Sequence, residues 1–94
     1  RSARATYDIL EIYREEDSQF IISDVTLAFE NPKHQFSIHW DLIDTVHETK
    51  EWFLVKANAR NIIYLFKENM SQTDVVIFRA IVKSQPELPA KLKS

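Results

Sequence analysis

The stretch that decides the fold is WDLIDTVHETKEWFLVKANARNIIYLFK, residues 40–67, where apolar and β-branched residues alternate with turn residues. Residues 52–57 and 62–66 are rich in aromatic and β-branched side chains, which favour strands. Asn58-Ala59-Arg60-Asn61 separates them, and asparagine tolerates the left-handed backbone that a turn requires. The pattern therefore predicts a β-hairpin.

A third strand is predicted just before this hairpin, over residues 42–48, with Thr49-Lys50 as a two-residue connection. In that register Val46 lies opposite Phe53, and Val55 lies opposite Tyr64. We expect this face to be the core because the other face carries two lysines. Ala57 and Ile62 share the predicted core face, and the other face holds Ile43, Thr45, Trp52, Leu54, Lys56, Ile63, Leu65 and Lys67.

The first 39 residues alternate apolar and polar side chains and predict strands alone. The segments concerned are residues 6–13, residues 19–30 with a bend at Ser23-Asp24, and residues 35–39. Glu15-Glu16-Asp17-Ser18 predicts a solvated acidic turn between the first two strands.

The spacing of apolar residues changes after Lys67 from that of a strand to that of a helix, and one amphipathic helix is predicted there. Ser71 and Asp74 have the spacing of a capping box. Apolar residues then recur at helical spacing until Pro86, which cannot continue a helix. These apolar residues are Val75, Phe78, Ile81 and Val82.

Strands followed by a single helix predict a mainly β fold with one C-terminal α-helix. No helix separates parallel strands, so a layered α/β fold is excluded. We expect a bent antiparallel sheet or partly open barrel with the helix at one end, which is a pleckstrin-homology-like arrangement. The 94 residues fit one domain, with a core over about residues 6–84 and a polar, basic tail over residues 85–94.

Composition excludes several kinds of function. The formal charge of −2 gives no electrostatic reason to bind nucleic acid. The chain has no cysteine, hence no disulfide or thiolate metal site. It also has no glycine, and this excludes the glycine-containing motifs of a phosphate-binding loop, a dinucleotide-binding fingerprint and a nucleophile elbow. We expect no cofactor, and we expect the chain, which begins Arg1-Ser2, to be excised from a longer protein.

The spacing I-x-W-x-x-I-x-x-V-x-E-T-x-x-x-F-L-V, residues 38–55, resembles the YcxB-like domains of bacterial membrane-associated proteins. The similarity spans about residues 19–83 and continues through Ile62-Ile63, Lys67 and Phe78-Arg79. Asp24 stands in the region where that family usually has a glycine.

The resemblance implies a small domain on the cytoplasmic face of the bacterial plasma membrane, attached through segments absent from this chain. It implies no established activity. Phosphoinositide binding by a pleckstrin-homology-like fold needs a basic loop between the first two strands. Here that loop is acidic, and Glu15-Glu16-Asp17 would repel phosphate groups.

The richest polar stretch contains His39, Asp41, Asp44, His47 and Glu48. In an extended strand His39 and His47 lie about 26 Å apart, which argues against a shared metal ion. Two carboxylates on a half-exposed strand are usually solvated, which argues against acid–base catalysis. For Glu48-Thr49 we expect local hydrogen bonds that fix the hairpin turn.

We therefore predict a non-enzymatic interaction or scaffolding domain that binds a protein partner or self-associates. An exposed sheet edge and the face around Trp52 are the expected contact regions. The alternative is a small-ligand or lipid-binding module that uses the gap between the sheet and the C-terminal helix. The possible interaction surface consists of Trp40, Trp52, Leu54 and Lys56.

Overall fold

The chain folds into two sheets and a helix, seen in a computed structural model that describes residues 10–15, 17–58 and 61–93. Over these residues the fold is mainly β, with two four-stranded sheets that are not closed into a barrel and one α-helix near the C-terminus. The predicted fold class is thereby confirmed.

The N-terminal sheet is an antiparallel meander in the order β1-β2-β3-β4. Its strands are Leu10–Glu15, Ser18–Ile22, Thr26–Glu30 and Gln35–His39. The predicted bend at Ser23-Asp24 is confirmed, because the Ser23 hydroxyl accepts hydrogen bonds from the amides of Val25 and Thr26 and closes the turn between β2 and β3. Residues 6–9 of the predicted first strand lie outside the described residues.

The C-terminal sheet has the order β7-β6-β5-β8. Its antiparallel strands are β5 (Ile43–Glu48), β6 (Trp52–Ala57) and β7 (Asn61–Phe66). The fourth strand, β8 (Ala90–Lys91), comes from the end of the chain and pairs with β5 in parallel. Ala90 and Lys91 are therefore part of the sheet, whereas residues 85–94 were predicted to be a tail outside the core.

The helix α1 (Gln72–Lys83) has the predicted capping box, since Ser71 accepts from the Asp74 amide and Asp74 accepts from the Ser71 amide. Its apolar side covers the core. Phe78 is fully buried, with its ring centroid 4.6 Å from that of Phe53 and 6.1 Å from that of Trp40. No helix in the described part of the chain combines the length and hydropathy of a membrane span.

The register of β7 differs from the predicted one by one residue. Ala57 pairs with Asn61, so three residues separate the paired positions where four were predicted, and Asn58 has a φ of 41°. Strand side chains alternate between faces, so this shift turns β7 over. Ile63 and Leu65 are buried, whereas Ile62 and Tyr64 point outward.

The register between β5 and β6 also differs from the prediction. Val46 pairs with Val55 and Glu48 with Phe53, because Lys50-Glu51 forms the tip of the turn. The pairing shifts between Ile43 and Thr45, and this irregularity lets Ile43 face inward although it was predicted on the other face.

We expect Phe78→Ala to destabilise the fold by about 3–5 kcal/mol, because it removes a fully buried ring between Trp40 and Phe53. Urea unfolding followed by circular dichroism measures the effect. Val76→Ala is the matched control, since Val76 lies on the same helix and is 56% exposed. Equal losses for the two variants would contradict the described orientation of α1.

Candidate functional site

The outer face of β6 and β7 is apolar. Trp52 lies opposite Phe66, Leu54 opposite Tyr64, and Lys56 opposite Ile62. Ile62 is 50% exposed, Tyr64 45% and Phe66 36%, while Trp52 and Leu54 are half-buried. These five apolar residues are called the aromatic surface below: Trp52, Leu54, Ile62, Tyr64 and Phe66.

Three rings hold the aromatic surface in a fixed arrangement. The Trp52 ring meets Tyr64 and Phe66 edge-on, with centroids 5.8 and 6.1 Å away. Tyr64 and Phe66 stack with centroids 6.0 Å apart and planes 15° apart. Such pairs contribute about 0.5–1.5 kcal/mol each beyond area burial, which stabilises this arrangement of the three rings.

The outward face of the N-terminal sheet has a different character. A solvated sheet face is normally polar, and this one is mainly so. Its outward residues include Glu11, Gln19, Glu30, Gln35 and Ser37. The strands of this chain therefore do carry polar residues on an outward face, and the apolar character is particular to the outer face of β6 and β7. Large contiguous apolar patches on protein surfaces are often found at interaction sites, so this face is the candidate to consider.

The apolar character continues around the free side of β7 into a groove of about 280 Å³. A row of three phenylalanines from the N-terminal sheet lines the groove together with β7. Phe20 and Phe29 have centroids 5.0 Å apart, and Phe29 and Phe36 have centroids 5.7 Å apart. Phe36 is 42% exposed.

A second cluster is built around the buried carboxylate of Glu48, whose side chain has no exposed surface. Lys67 Nζ donates to Glu48 Oε2 at 2.6 Å. Arg79 donates from Nε to Oε1 at 3.0 Å and from a terminal nitrogen to Oε2 at 2.6 Å. The Lys93 amide donates to Oε1 at 2.8 Å. We call these four residues the Glu48 cluster.

Desolvation by itself would raise the pKa of Glu48. The hydrogen bonds from Arg79, Lys67 and the Lys93 amide, together with the charge of Lys67, outweigh it and lower this pKa from 4.5 to about 2. The hydrogen bond to Glu48 likewise raises the pKa of Arg79. Glu48 is thus a permanently charged structural group at neutral pH.

Only part of the local hydrogen bonding predicted for Glu48-Thr49 is present. The Thr49 hydroxyl accepts from the amides of Glu51 and Trp52 and fixes the turn. Glu48, in contrast, bonds to distant residues. The sequence does contain a signal for these distant partners. Glu48 is two residues from Val46 and so shares its core face, where a charged side chain requires a partner.

The four predicted surface residues occupy different environments. Trp40 is buried in the core, and its indole Nε1 donates to the Ser23 carbonyl at 2.8 Å. Trp52 and Leu54 belong to the aromatic surface, and the exposed Lys56 lies at its border. Ile62, Tyr64 and Phe66 were missed. The predicted register placed Ile62 and Tyr64 in the core.

The polar stretch weighed for metal binding or catalysis does not converge. Asp44 and His47 are exposed, and Glu48 is buried on the other side of β5 from His47. Among the described residues no three His, Asp or Glu side chains are placed to hold a metal ion. The gap between sheet and helix, considered for a ligand, is occupied by Phe78, Ile81 and Val82.

The chain matches no protein-family model, no curated protein and no solved structure. The aromatic surface and the Glu48 cluster are therefore interpreted from their own chemistry.

We expect Glu48→Gln to cost about 3 kcal/mol of stability at pH 6, because lowering a pKa from 4.5 to about 2 corresponds to that amount. A depressed pKa stabilises the fold above pH 4.5, and this contribution is lost as the pH falls towards 2. The difference between wild type and Glu48→Gln, from urea unfolding, should fall to about half at pH 3.

Glu51→Gln is the control for this measurement, since Glu51 is exposed at the neighbouring turn. We expect it to change stability by less than about 0.5 kcal/mol at either pH. A Glu48→Gln difference that does not change between pH 6 and pH 3 would show that the charge of Glu48 is not what stabilises the fold.

Proposed function

We propose that this chain is a non-enzymatic interaction domain that self-associates through β7 and the aromatic surface. The observation that carries this proposal is the exposure of Ile62, Tyr64 and Phe66 on a strand at the edge of its sheet. An unpaired edge offers backbone hydrogen bonds, and the adjoining rings offer apolar contact area.

β7 lacks the features that usually protect a sheet edge. Its sequence, NIIYLF, contains no charged residue and no proline, and no described strand pairs with its outer side. β8 has only two residues, and the outward face of β4 is polar. The sequence of β1, LEIYRE, carries three charged residues. Of the edges among the described residues, β7 is therefore the best suited to accept another strand.

A twofold antiparallel pairing of two β7 strands fits the sequence. If Tyr64 lies on the twofold axis, Ile62 of each copy lies opposite Phe66 of the other. Residues opposite each other in an antiparallel pair point to the same face, so the two aromatic surfaces would become continuous. Such an isologous contact closes on itself as a dimer.

The resemblance to YcxB-like domains supports placing this domain on the cytoplasmic side of a bacterial membrane protein. Self-association of such a domain would bring together the membrane segments to which it is attached. The small-ligand alternative receives less support, because side chains fill the gap between sheet and helix.

We expect the wild-type chain to dimerise reversibly with a Kd in roughly the micromolar range, since one six-residue edge and five side chains form a small interface. Tyr64→Lys should weaken the dimer at least about 100-fold, because it places two like charges opposite each other. Light scattering after size exclusion, over a concentration series, measures the mass.

Leu42→Lys is the matched control. It makes the same change of charge at a residue that is 60% exposed and lies outside β7, so the dimer should remain. A wild-type chain that stays monomeric at every concentration would refute self-association. A dimer equally sensitive to Leu42→Lys and Tyr64→Lys would refute the assignment to β7.

A further inference from the structure

Residues close to the C-terminus pack along the edge of β5. The site on β5 that they occupy, which includes Val46 and Glu48, is called the seat below. Residues 88–93, called the C-terminal segment here, include β8. The Val46 amide donates to the Pro89 carbonyl at 3.1 Å, and the Lys93 amide donates to Glu48 Oε1 at 2.8 Å. Leu88 and Leu92 pack against the core while remaining half-buried.

This seat recognises an extended backbone. Its polar contacts are the Val46 amide, which donates to a backbone carbonyl, and the Glu48 carboxylate, which accepts from a backbone amide. Lys67 and Arg79 hold the Glu48 carboxylate in place, so the acceptor is positioned by the fold itself. Removal of the C-terminal segment would leave the Val46 amide without the Pro89 carbonyl and would take from Glu48 one of its four hydrogen bonds, the one from the Lys93 amide, which favours an occupied seat.

The connection between α1 and the C-terminal segment contains a strained turn. Glu87 has a φ of 59°, in the left-handed region that disfavours residues other than glycine, asparagine and aspartate. Pro86 and Pro89 flank this turn. An open groove of about 380 Å³ lies beside it, lined by Trp40 and Ile43 on one side and by residues 85–88 on the other. Pro86 and Glu87 are both exposed, so the strained residue itself has little packing around it.

We propose that the edge of β5 also accepts the C-terminal segment of a second copy of this chain, by reciprocal exchange. The occupant is argued from the structure, since the same residues already fit the seat in their own chain. Exchange keeps every seat contact and allows Glu87 to adopt an ordinary φ, and strain in a short hinge loop favours domain swapping. This contact is separate from the proposed β7 dimer.

Cysteine cross-linking tests the exchange, because the chain has no cysteine of its own. His47 and Lys91 are parallel neighbours and are both exposed. Neighbouring strands lie about 4.8 Å apart, a spacing that a disulfide can span. His47→Cys chains of residues 1–94 are mixed with Lys91→Cys chains that carry a size tag, and glutathione disulfide is added as oxidant.

We expect a mixed disulfide dimer on a non-reducing gel, at least threefold above the amount from Lys91→Cys mixed with Lys33→Cys. Lys33 is an exposed residue in the turn between β3 and β4 and serves as the collision control. All chains carry Tyr64→Lys, so the β7 contact does not bring them together.

Substitutions of Glu87, in the turn between α1 and the C-terminal segment, should change the amount of mixed dimer in opposite directions. Glu87→Pro forbids the positive φ and should raise the mixed dimer at least tenfold, whereas Glu87→Gly relieves the strain and should lower it. If Glu87→Pro does not fold, the comparison of Glu87→Gly with wild type still decides.

The double variant His47→Cys/Lys91→Cys should form its disulfide within one chain, which checks the geometry of the seat. The exchange is refuted if this disulfide forms within one chain while the mixed dimers do not exceed the Lys33→Cys control, whether residue 87 is glutamate, proline or glycine. Failure of the double variant to oxidise would refute the seat itself.

Discussion

The fold depends on how one buried carboxylate is satisfied. Glu48 accepts from Lys67, Arg79 and the Lys93 amide, which are 19, 31 and 45 residues further along the chain. They lie at the end of β7, on α1 and after β8. A buried charge without partners is very costly, so the folded state is stable only with these elements in place around Glu48. The last strand thereby becomes part of the domain.

The sequence predicted the elements well because their signals are local. β6 has the bounds expected from its aromatic and β-branched run, and the capping box at Ser71 begins α1 as expected. The left-handed turn at Asn58 and the bend at Ser23-Asp24 were also predicted from residue type alone. Each of these features is decided by interactions within a few residues.

The pairing between elements and the candidate site were predicted only in part. Trp52 and Leu54 were placed on an outer face, but the loop after Ala57 is one residue shorter than expected, and this difference moved Tyr64 out of the core. Loop length and strand irregularities are settled by packing against the other sheet and the helix. Glu48 was predicted to bond locally because it adjoins the hairpin turn, and its actual partners could not be recognised because they are distant in sequence.

The absence of glycine also affects the unfolded chain. Every residue carries a Cβ or a ring, so the unfolded ensemble has fewer accessible conformations per residue than an average protein, and less entropy is lost on folding. The opposing cost is paid in the folded state, where Asp17, Asn58 and Glu87 hold positive φ among the described residues. The unfolded chain is therefore less disordered than that of an average protein, and among the described residues with positive φ only Glu87 is of a type that this backbone conformation disfavours.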